Sequence, residues 1–235
     1  MACALVTGGV RRIGRALAQE LALLGYDLAI HYRSSSASAE RLRVQIESQG
    51  RTCKIYQANL ERDRDIINLL GRVKADFQDL EVLVNNASIF EPATIKNTEM
   101  ELFDRHLAVN LKAPFFLIRD FARFVGTGNI INIIDTRMSK NDYTYAAYTL
   151  AKKSLADLTS MAALELAPDI RVNGIAPGFI LAPEGASHDY LDKLKQKLPM
   201  CQQGNVKQIC QAMIYLLEND FVTGQLLFVD GGQHL

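Results

Sequence analysis

A tyrosine and a lysine four residues apart are the side chains in this sequence best suited to acid–base chemistry. Tyr148 and Lys152 lie within residues 143–168, whose pattern predicts a helix. In an α-helix this spacing places both side chains on one face. Because a nearby ammonium favours the phenolate, we expect Lys152 to lower the pKa of Tyr148 and make it a tuned proton donor. The spacing is common in helices, so the pair alone also fits two exposed side chains.

A glycine-containing turn near the N-terminus predicts a phosphate site. Residues 7–14 read T-G-G-V-R-R-I-G and join an apolar run to a helical pattern. Gly8 permits a tight turn close to a phosphate, Gly14 lets the helix pack near the strand, and the helix N-terminus offers free N–H groups to a pyrophosphate. Arg11 and Arg12 lie inside the turn, where guanidinium groups suit an anion or a polar ring. A glycine turn can be purely structural, but its place at the first strand–helix junction favours cofactor binding.

The end of the second predicted strand distinguishes between the two nicotinamide dinucleotides. NAD-binding proteins tend to carry an acid there for the ribose 2′-hydroxyl. Here the segment reads H-Y-R-S-S-S and contains no acid. Arg33 and Ser34, with Arg11, could instead hold a 2′-phosphate, so the sequence predicts NADP(H).

These candidate residues are distributed over alternating strand and helix patterns. Apolar runs predict seven strands, at residues 2–7, 27–33, 52–58, 81–87, 128–135, 169–177 and 225–232. Helical patterns cover residues 12–24, 39–49, 62–77, 100–125 (as one or two helices), 143–168, 189–198 and 206–218, and residues 34–38 are expected to form a loop. The alternation predicts an α/β, Rossmann-type, doubly wound parallel sheet with helices on both faces. Ligands of such sheets bind beyond the carboxyl ends of the strands.

Composition excludes several classes of function. The 235 residues suffice for one α/β domain, residues 1–235, and 26 basic residues balance 26 acidic ones, which argues against a nucleic-acid partner. No apolar run has the length of a membrane span, and the first residues lack the basic region of a signal peptide. Cys3, Cys53, Cys201 and Cys210 form no metal-like cluster, so we expect no metal and free thiols in a reducing cytoplasm.

The order of these motifs resembles the short-chain dehydrogenase/reductase family over essentially the whole chain. The motifs are Thr7-Gly8, Asn85-Asn86-Ala87, Asn110, Tyr148, Lys152 and Pro177-Gly178. The resemblance implies hydride transfer, with Tyr148 as proton donor, Lys152 also binding the nicotinamide ribose, and Asn110 holding a water in a proton relay. It places Asn86 and Ala87 at the adenosine ribose and Pro177-Gly178 at the nicotinamide. The expected cofactor contacts are Gly8, Arg11, Arg12, Ile13, Gly14, Tyr32, Arg33, Ser34, Asn59, Leu60, Asn86, Ala87, Ser88, Tyr148, Lys152, Pro177 and Gly178.

Departures from the family pattern are more informative than the matches. The middle glycine of the family turn is Arg12, and the family serine thirteen residues before the tyrosine is Asp135. N-N-A-G reads N-N-A-S, ending in Ser88, with Phe90 two residues later, while the Asp expected near adenine is Asn59, whose amide could still bond the ring. These features resemble the pteridine reductase branch, and the short length and C-terminal segment resemble its bacterial dihydromonapterin reductases.

That resemblance implies reduction of a dihydropterin, with dihydrofolate as a further possibility, by NADPH. It places the pterin between the nicotinamide and Phe90, with Arg12 bonding pterin and phosphate, and implies Arg12, Ser88, Phe90, Asp135 and Tyr148 as substrate contacts. The chemistry agrees, since a pterin C=N nitrogen needs a proton, which a partly desolvated carboxyl can help supply, whereas serine suits the oxyanion of a carbonyl. Asp135 and Tyr148 would then form a coupled acid pair. Asp135 could also be a helix cap and Phe90 ordinary packing.

Three functions remain open at this point. A pterin reductase is favoured over a carbonyl or 3-oxoacyl-type reductase, which Asp135 argues against, and over a non-catalytic NADP(H) sensor, which Asn110, Tyr148 and Lys152 argue against. His31 is expected to pack near the cofactor rim, and His106 and His188 have no metal-ligand spacing. The family resemblance implies a substrate lid at residues 179–200 and a homotetramer built from helix pairs that include the Tyr148 helix.

Overall fold

Seven parallel strands form a single twisted sheet at the centre of the molecule. The computed structural model describes residues 2–181 and 188–235, without the side chains of residues 188–191. The strands are β1 (Cys3–Val6), β2 (Asp27–Tyr32), β3 (Cys53–Gln57), β4 (Leu80–Asn85), β5 (Gly128–Ile133), β6 (Ile170–Pro177) and β7 (Leu226–Val229). Their spatial order is β3-β2-β1-β4-β5-β6-β7, and every neighbouring pair is parallel. The predicted seven-stranded doubly wound sheet is therefore confirmed.

Helices cover both faces because β1, β2 and β4 are buried almost throughout and need apolar cover on each side. The helices are α1 (Arg12–Leu23), α2 (Ser36–Glu47), α3 (Asp63–Asp76), α4 (Met100–Leu107), α5 (Ala113–Phe124), α6 (Ala146–Leu166), α7 (His188–Lys195) and α8 (Val206–Glu218). Leu17 and Leu21 of α1 and Met213 of α8 belong to the core on one face. Phe121 of α5 and Leu155 of α6 belong to the core on the other.

Several predicted boundaries were wrong, and local chemistry explains them. Helix α2 begins at Ser36 rather than residue 39, because serines that look like a loop are also favourable near helix N-termini. Helix α6 ends at Leu166, since the residue before Pro168 is driven to an extended conformation. Strand β7 ends at Val229, where Gly231 and Gly232, with φ of 63° and 85°, turn the chain. Strand β5 likewise ends at Ile133, two residues before Asp135.

The segment predicted as one or two helices is interrupted by a wider turn. Between α4 and α5, residues Ala108–Lys112 form a π-helical turn that contains Asn110. Such turns inside helices are frequent at functional sites. Across the residues described, no helix combines the length and the apolar character needed to cross a membrane.

Candidate active site

A cleft of about 670 Å³ opens beyond the carboxyl ends of the central strands, where the fold predicts a ligand. Most of the predicted site residues line it, although they come from seven separate chain segments. The lining residues are Gly8, Arg11, Arg12, Ile13, Gly14, His31, Arg33, Asn59, Leu60, Asn86, Ala87, Ser88, Ile89, Phe90, Val109, Ile133, Ile134, Asp135, Tyr148, Lys152, Pro177, Gly178, Ile180 and Leu181. Among the described residues, the predicted contacts Tyr32, Ser34 and Asn110 lie outside this lining.

The glycine turn is a cradle that larger residues would fill. Gly8 has φ of 62°, and a Cβ there would lie 3.0 Å from Ala87 Cα. A Cβ on Gly14 would lie 2.4 Å from both the Gly8 carbonyl oxygen and Asn86 Nδ2. The Asn86 amide itself donates to the carbonyls of Thr7 and Gly8, at 2.9 and 3.1 Å. The predicted ribose ligand Asn86 therefore also braces the turn.

Arg11 and Arg12 lie at the N-terminus of α1, next to this cradle. No side chain caps the first turn of α1, and that turn carries no acidic residue, so its N–H groups and positive dipole can serve an anion. Arg12 adopts φ of 50° at the position where the family pattern has glycine. A left-handed conformation costs a non-glycine residue roughly 1–2 kcal/mol, and such strain is concentrated at functional sites. The Arg12 guanidinium donates to the Leu181 carbonyl at 3.3 Å and thus reaches across the cleft.

His31 connects the glycine turn to the end of β3. Its Nδ1 accepts from the Gly8 N–H at 3.1 Å, while Nε2 lies 3.1 Å from the Ala58 carbonyl, which can only accept. The ring is therefore neutral, with its proton on Nε2. Burial is the main reason that the pKa of His31 falls to about 4. His31 lines the cleft at the predicted cofactor rim, and it also orients Gly8.

We expect His31 to make the protein sensitive to acid. Its folded-state pKa of about 4 lies below the ordinary value of 6.5, so the unfolded chain binds the proton first as pH falls. The contribution of neutral His31 to the free energy of unfolding is complete above pH 6.5 and is lost as pH falls from 6.5 to 4. Between pH 7.5 and pH 5 the loss amounts to about 2 kcal/mol. Urea unfolding at pH 7.5 and pH 5 should show a smaller loss in His31→Gln than in wild type. His106, whose pKa is also lowered mainly by burial, is present in both proteins and contributes equally to both. Equal losses of unfolding free energy in the two proteins would contradict the prediction.

At the predicted adenosine end of the cleft, Arg33 has a partner that the sequence did not indicate. Its Nη1 lies 2.8 Å from Glu61 Oε1, and the Arg33 side chain is 54% exposed. Arg105 also approaches Glu61, at 3.5 Å. Asn59 accepts from the Glu61 N–H at 3.1 Å and so orients the loop that carries this acid. A 2′-phosphate bound here would share Arg33 with Glu61.

Tyr148 and Asp135 form a direct hydrogen bond at the floor of the cleft. The phenol donates to Asp135 Oδ2 at 2.7 Å, and the other carboxylate oxygen accepts from the Arg137 N–H at 2.8 Å. Asp135 is therefore both the predicted partner of Tyr148 and the cap of the short helical turn Thr136–Ser139. Burial is the largest cause of a pKa of Tyr148 well above its usual value, and the charge and hydrogen bond of Asp135 act in the same direction. The phenol consequently holds its proton.

The predicted effect of Lys152 on the pKa of Tyr148 stays a prediction, because the ammonium bonds to a backbone carbonyl. Lys152 Nζ donates to the Ile133 carbonyl at 2.7 Å and lies 5.9 Å from the centre of the Tyr148 ring. Arg137 and Ser88 lower the phenol's pKa against the effects of burial and Asp135. The ammonium itself is fully buried, which lowers the pKa of Lys152 to about 8, partly offset by the charge of Asp135. Helical spacing correctly places the two residues together but does not specify what the ammonium contacts.

Asn110 lies behind the cleft, where protein groups engage both ends of its amide. Its Oδ1 accepts from Ser88 Oγ at 2.9 Å and from the Ile89 N–H at 3.1 Å. Its Nδ2 donates to the Ile89 carbonyl at 3.1 Å and lies 3.2 Å from His106 Nδ1. Asn110 thus fixes the segment that leads to Phe90. The predicted water-holding role would need its backbone carbonyl, which lies within the π-helical turn.

An aromatic pair forms one wall at the mouth of the cleft. Phe90 stacks on Tyr145 with ring centres 4.2 Å apart and an interplanar angle of 4°, and it meets Tyr148 edge-on at 4.7 Å. Phe90 is 48% exposed, which contradicts its interpretation as ordinary core packing. Because Tyr145 covers one face of Phe90, a planar ligand would use the other. Neither Tyr145 nor the neighbouring Arg137 was predicted from sequence.

The C-terminal segment anchors the loops on the predicted nicotinamide side of the cleft. The buried Asp230 carboxylate accepts from Thr136 Oγ1 at 2.6 Å and from the His234 N–H at 2.8 Å. Gln233 Oε1 accepts from the Phe179 N–H at 3.1 Å, and the Gly231 carbonyl accepts from the Met200 N–H at 3.2 Å. The predicted lid, residues 179–200, lies in part outside the described residues, which stop at Leu181 and resume at His188. Both ends of that stretch are attached to the same C-terminal segment.

Comparisons with known proteins agree with this geometry. A family model described as Enoyl-(Acyl carrier protein) reductase matches residues 8–234. The solved structure of FolM Alternative dihydrofolate reductase 1 from Brucella canis, complexed with NADP, has a TM-score of 0.92 at 37% identity and covers 99% of this chain and 94% of that one. Dihydromonapterin reductase of Enterobacter sp. (strain 638) is 31% identical over 98% of this chain and 96% of its own length. The 3-oxoacyl-[acyl-carrier-protein] reductase FabG of Staphylococcus epidermidis is 31% identical over 99% and 98%, respectively.

Proposed function

This chain belongs to the short-chain dehydrogenase/reductase family, and we propose that it is an NADPH-dependent reductase of dihydropterins. The proposed substrates are of the dihydromonapterin or dihydrobiopterin type, with dihydrofolate as a further candidate. The observation that carries this proposal is the hydrogen bond from Tyr148 to Asp135 at 2.7 Å. A carboxyl stands where a carbonyl reductase of this family has a hydroxyl. The similarity to an alternative dihydrofolate reductase and to a dihydromonapterin reductase supports the same substrate class.

The residues of the cleft fit a nicotinamide dinucleotide phosphate. The cradle between Gly8 and Gly14, which a Cβ would fill, and the open first turn of α1 suit a pyrophosphate. Arg33 suits a 2′-phosphate, and the described end of β2 carries no acid that would select a 2′-hydroxyl. Lys152 and Gly178 line the opposite end, where the reacting ring would lie. When bound, NADPH supplies the hydride.

The protein's own task is then to deliver one proton to the nitrogen of the reduced C=N bond. Tyr148 holds that proton, and its hydrogen bond directs it to Asp135. The proton reaches the substrate either directly from the phenol or from the carboxyl after the phenol has passed it to Asp135, and solvent then returns one proton to the pair. Phe90 offers its free face to the flat pterin ring, and Arg12 lies between the phosphate cradle and the substrate side of the cleft.

A carbonyl reductase is the second candidate. It is supported by the similarity to the 3-oxoacyl-[acyl-carrier-protein] reductase and by the Ser88 hydroxyl, which lies close enough to Tyr148 to lower its pKa. In this alternative the Ser88 hydroxyl would act in place of the family serine, whose position Asp135 occupies. The Ser88 hydroxyl, however, donates to Asn110 at 2.9 Å, so its proton is directed away from a substrate oxyanion.

Steady-state oxidation of NADPH distinguishes these candidates. Dihydromonapterin, dihydrobiopterin and dihydrofolate would be compared with a panel of ketones and a 3-oxoacyl thioester at matched concentrations. We expect a kcat/KM for one of the dihydropterins at least about 100-fold above that for any ketone. The opposite ratio would support the carbonyl reductase, and NADPH binding without any turnover would support a sensor.

The cofactor proposal makes Arg33 the residue that recognises the 2′-phosphate. Arg33→Asp should weaken NADPH binding at least about tenfold, because a charge-assisted contact contributes roughly 1.5–3 kcal/mol and the new carboxylate repels the phosphate. Fluorescence titration of NADPH measures this directly. Glu61→Gln is the matched control: it removes the competing ion pair and should leave NADPH affinity unchanged or tighter. An unchanged affinity in Arg33→Asp would exclude Arg33 as the phosphate ligand.

We also propose that the chain is a single domain, residues 1–235, with a substrate lid at 179–200, and that it assembles as a homotetramer. The described outer surfaces of α5 and α6 support an assembly, since they expose the large apolar side chains of Phe115, Leu150, Met161 and Leu164. The four cysteines are free thiols, which supports a reducing compartment such as the cytoplasm.

A further inference from the structure

Arg137 is held beside the reacting groups by both its backbone and its side chain. Its N–H occupies Asp135 Oδ1 at 2.8 Å, which leaves Oδ2 for Tyr148. Its guanidinium forms an ion pair with Asp142. Asp142 is itself fixed by the N–H and hydroxyl of Thr144, at 2.8 and 2.5 Å. Hydrogen bonds from Thr144 are the largest reason that the pKa of Asp142 is lowered, so this carboxylate stays charged near neutral pH.

The guanidinium also contacts the aromatic wall of the cleft. Its carbon lies 4.7 Å from the ring centre of Tyr145 and 5.4 Å from that of Phe90. A ring-centre separation of 4.2 Å at an interplanar angle of 4° fits the parallel stacking that aromatic pairs adopt. A guanidinium within about 6 Å of an aromatic ring is attracted by the quadrupole of that ring. Arg137 therefore adds its own contacts to both members of the Phe90–Tyr145 stack.

The charge of Arg137 faces a site rich in titratable groups. Around Tyr148 lie Asp135 as hydrogen-bond acceptor, the buried Lys152, and His106 with its ring centre 6.0 Å away. Burial, Asp135 and its hydrogen bond raise the pKa of Tyr148, whereas Arg137 lowers it. A guanidinium keeps its charge at any pH at which the enzyme works, unlike Lys152, whose pKa falls to about 8.

We propose that Arg137 is a positioning residue that fixes the Phe90–Tyr145 stack as one wall of the substrate site and places a permanent positive charge beside the Tyr148–Asp135 pair. This inference rests on the proposed reductase function, since it assigns Phe90 to the substrate and Tyr148 to proton transfer. It adds a cation that the family pattern of tyrosine and lysine does not include. Asp142 is the anchor that keeps this cation in place.

Three variants separate the two roles. Arg137→Leu removes the charge and the cation–π contacts, Arg137→Lys keeps a charge without the planar group, and Asp142→Asn removes only the anchor. Each would be assayed for KM, kcat and the pH profile of kcat/KM on whichever substrate class the wild-type enzyme reduces. Thermal unfolding checks that each variant is folded, and Arg137→Gln replaces Arg137→Leu if the latter is not.

We expect KM to rise about fivefold or more in all three variants, because the aromatic wall is no longer held. In Arg137→Leu alone, the alkaline limb of the profile should move up by roughly half a pH unit or more, since a positive charge that favours deprotonation is gone. A purely structural residue would lower the melting temperature without moving that limb. An unmoved limb in Arg137→Leu would overturn the electrostatic role, and an unmoved KM would overturn the role in the wall. Absence of dihydropterin turnover in wild type would reject the pterin substrate but not this test, which uses ratios on the substrate that is reduced.

Discussion

Replacing Tyr148 with phenylalanine is expected to lower kcat for dihydropterin reduction by about 100-fold or more while NADPH still binds. The change keeps the ring, and with it the edge contact to Phe90 at 4.7 Å, and removes only the hydroxyl that holds the proton. General acid catalysis contributes about 10²–10⁴-fold to rates. Steady-state turnover gives kcat, and fluorescence titration gives the affinity for NADPH.

Tyr143→Phe serves as the matched control for that experiment. Tyr143 is 71% exposed and lies outside the lining of the cleft, so loss of its hydroxyl should leave kcat within about twofold of wild type. If Tyr148→Phe also retained near-normal turnover, Asp135 or another group would have to supply the proton. If instead NADPH affinity fell in parallel with kcat, Tyr148 would be a cofactor ligand first and a donor second.

The second large effect is expected from Asp135→Ser, which restores the hydroxyl typical of carbonyl reductases in the family. We expect kcat/KM for a dihydropterin to fall by about 100-fold, because serine cannot supply an acidic proton. NADPH affinity should stay near wild type, since Asp135 lies beside the substrate and away from the phosphate cradle. The pH profile between 5 and 9 should lose one limb as the coupled pair becomes a lone tyrosine.

The direction of the remaining limb follows from the contacts of Tyr148. The charge and hydrogen bond of Asp135 raise the pKa of the phenol, so their loss should move the limb that reports Tyr148 to lower pH. Asp135→Asn is the comparison variant, because it keeps an oxygen that can accept from the Arg137 N–H and cap the turn. Unchanged rates in both variants would leave Asp135 as a cap only and would favour the carbonyl reductase.

Sequence reasoning succeeded where a single chain segment carries the constraint. The glycine turn needs its glycines because the backbone approaches closely there, and helical spacing brings Tyr148 and Lys152 to one face. It failed where partners come from distant segments: His31 with Gly8 is separated by 23 residues, and Arg33 with Glu61 by 28. Such pairings depend on which strands become neighbours and on rotamers that spacing does not determine.

The aromatic wall formed by Phe90 and Tyr145 is a second case in which sequence spacing does not predict contacts between separate segments. Phe90 was predicted from a family pattern. Arg137 lies in the short turn Thr136–Ser139 and Tyr145 lies immediately before α6, and only the folded loops bring them to Phe90. The hydrogen-bond partner of Lys152 was not predicted for a related reason. Spacing predicts that two side chains are neighbours, whereas the carbonyl of Ile133 determines where the ammonium points.

The hydrogen bonds of Asp230 and Gln233 also have a practical consequence for handling the protein. Exopeptidase trimming of residues 233–235 would leave every residue that lines the cleft intact, yet it would remove the groups that hold Phe179, Lys140 and the carboxylate of Asp230. We expect protein truncated in this way to show lower turnover, as an active-site substitution would. Its mass would differ from that of the intact protein by only a few hundred daltons. The intact mass of each preparation should therefore be checked by mass spectrometry before any of these assays.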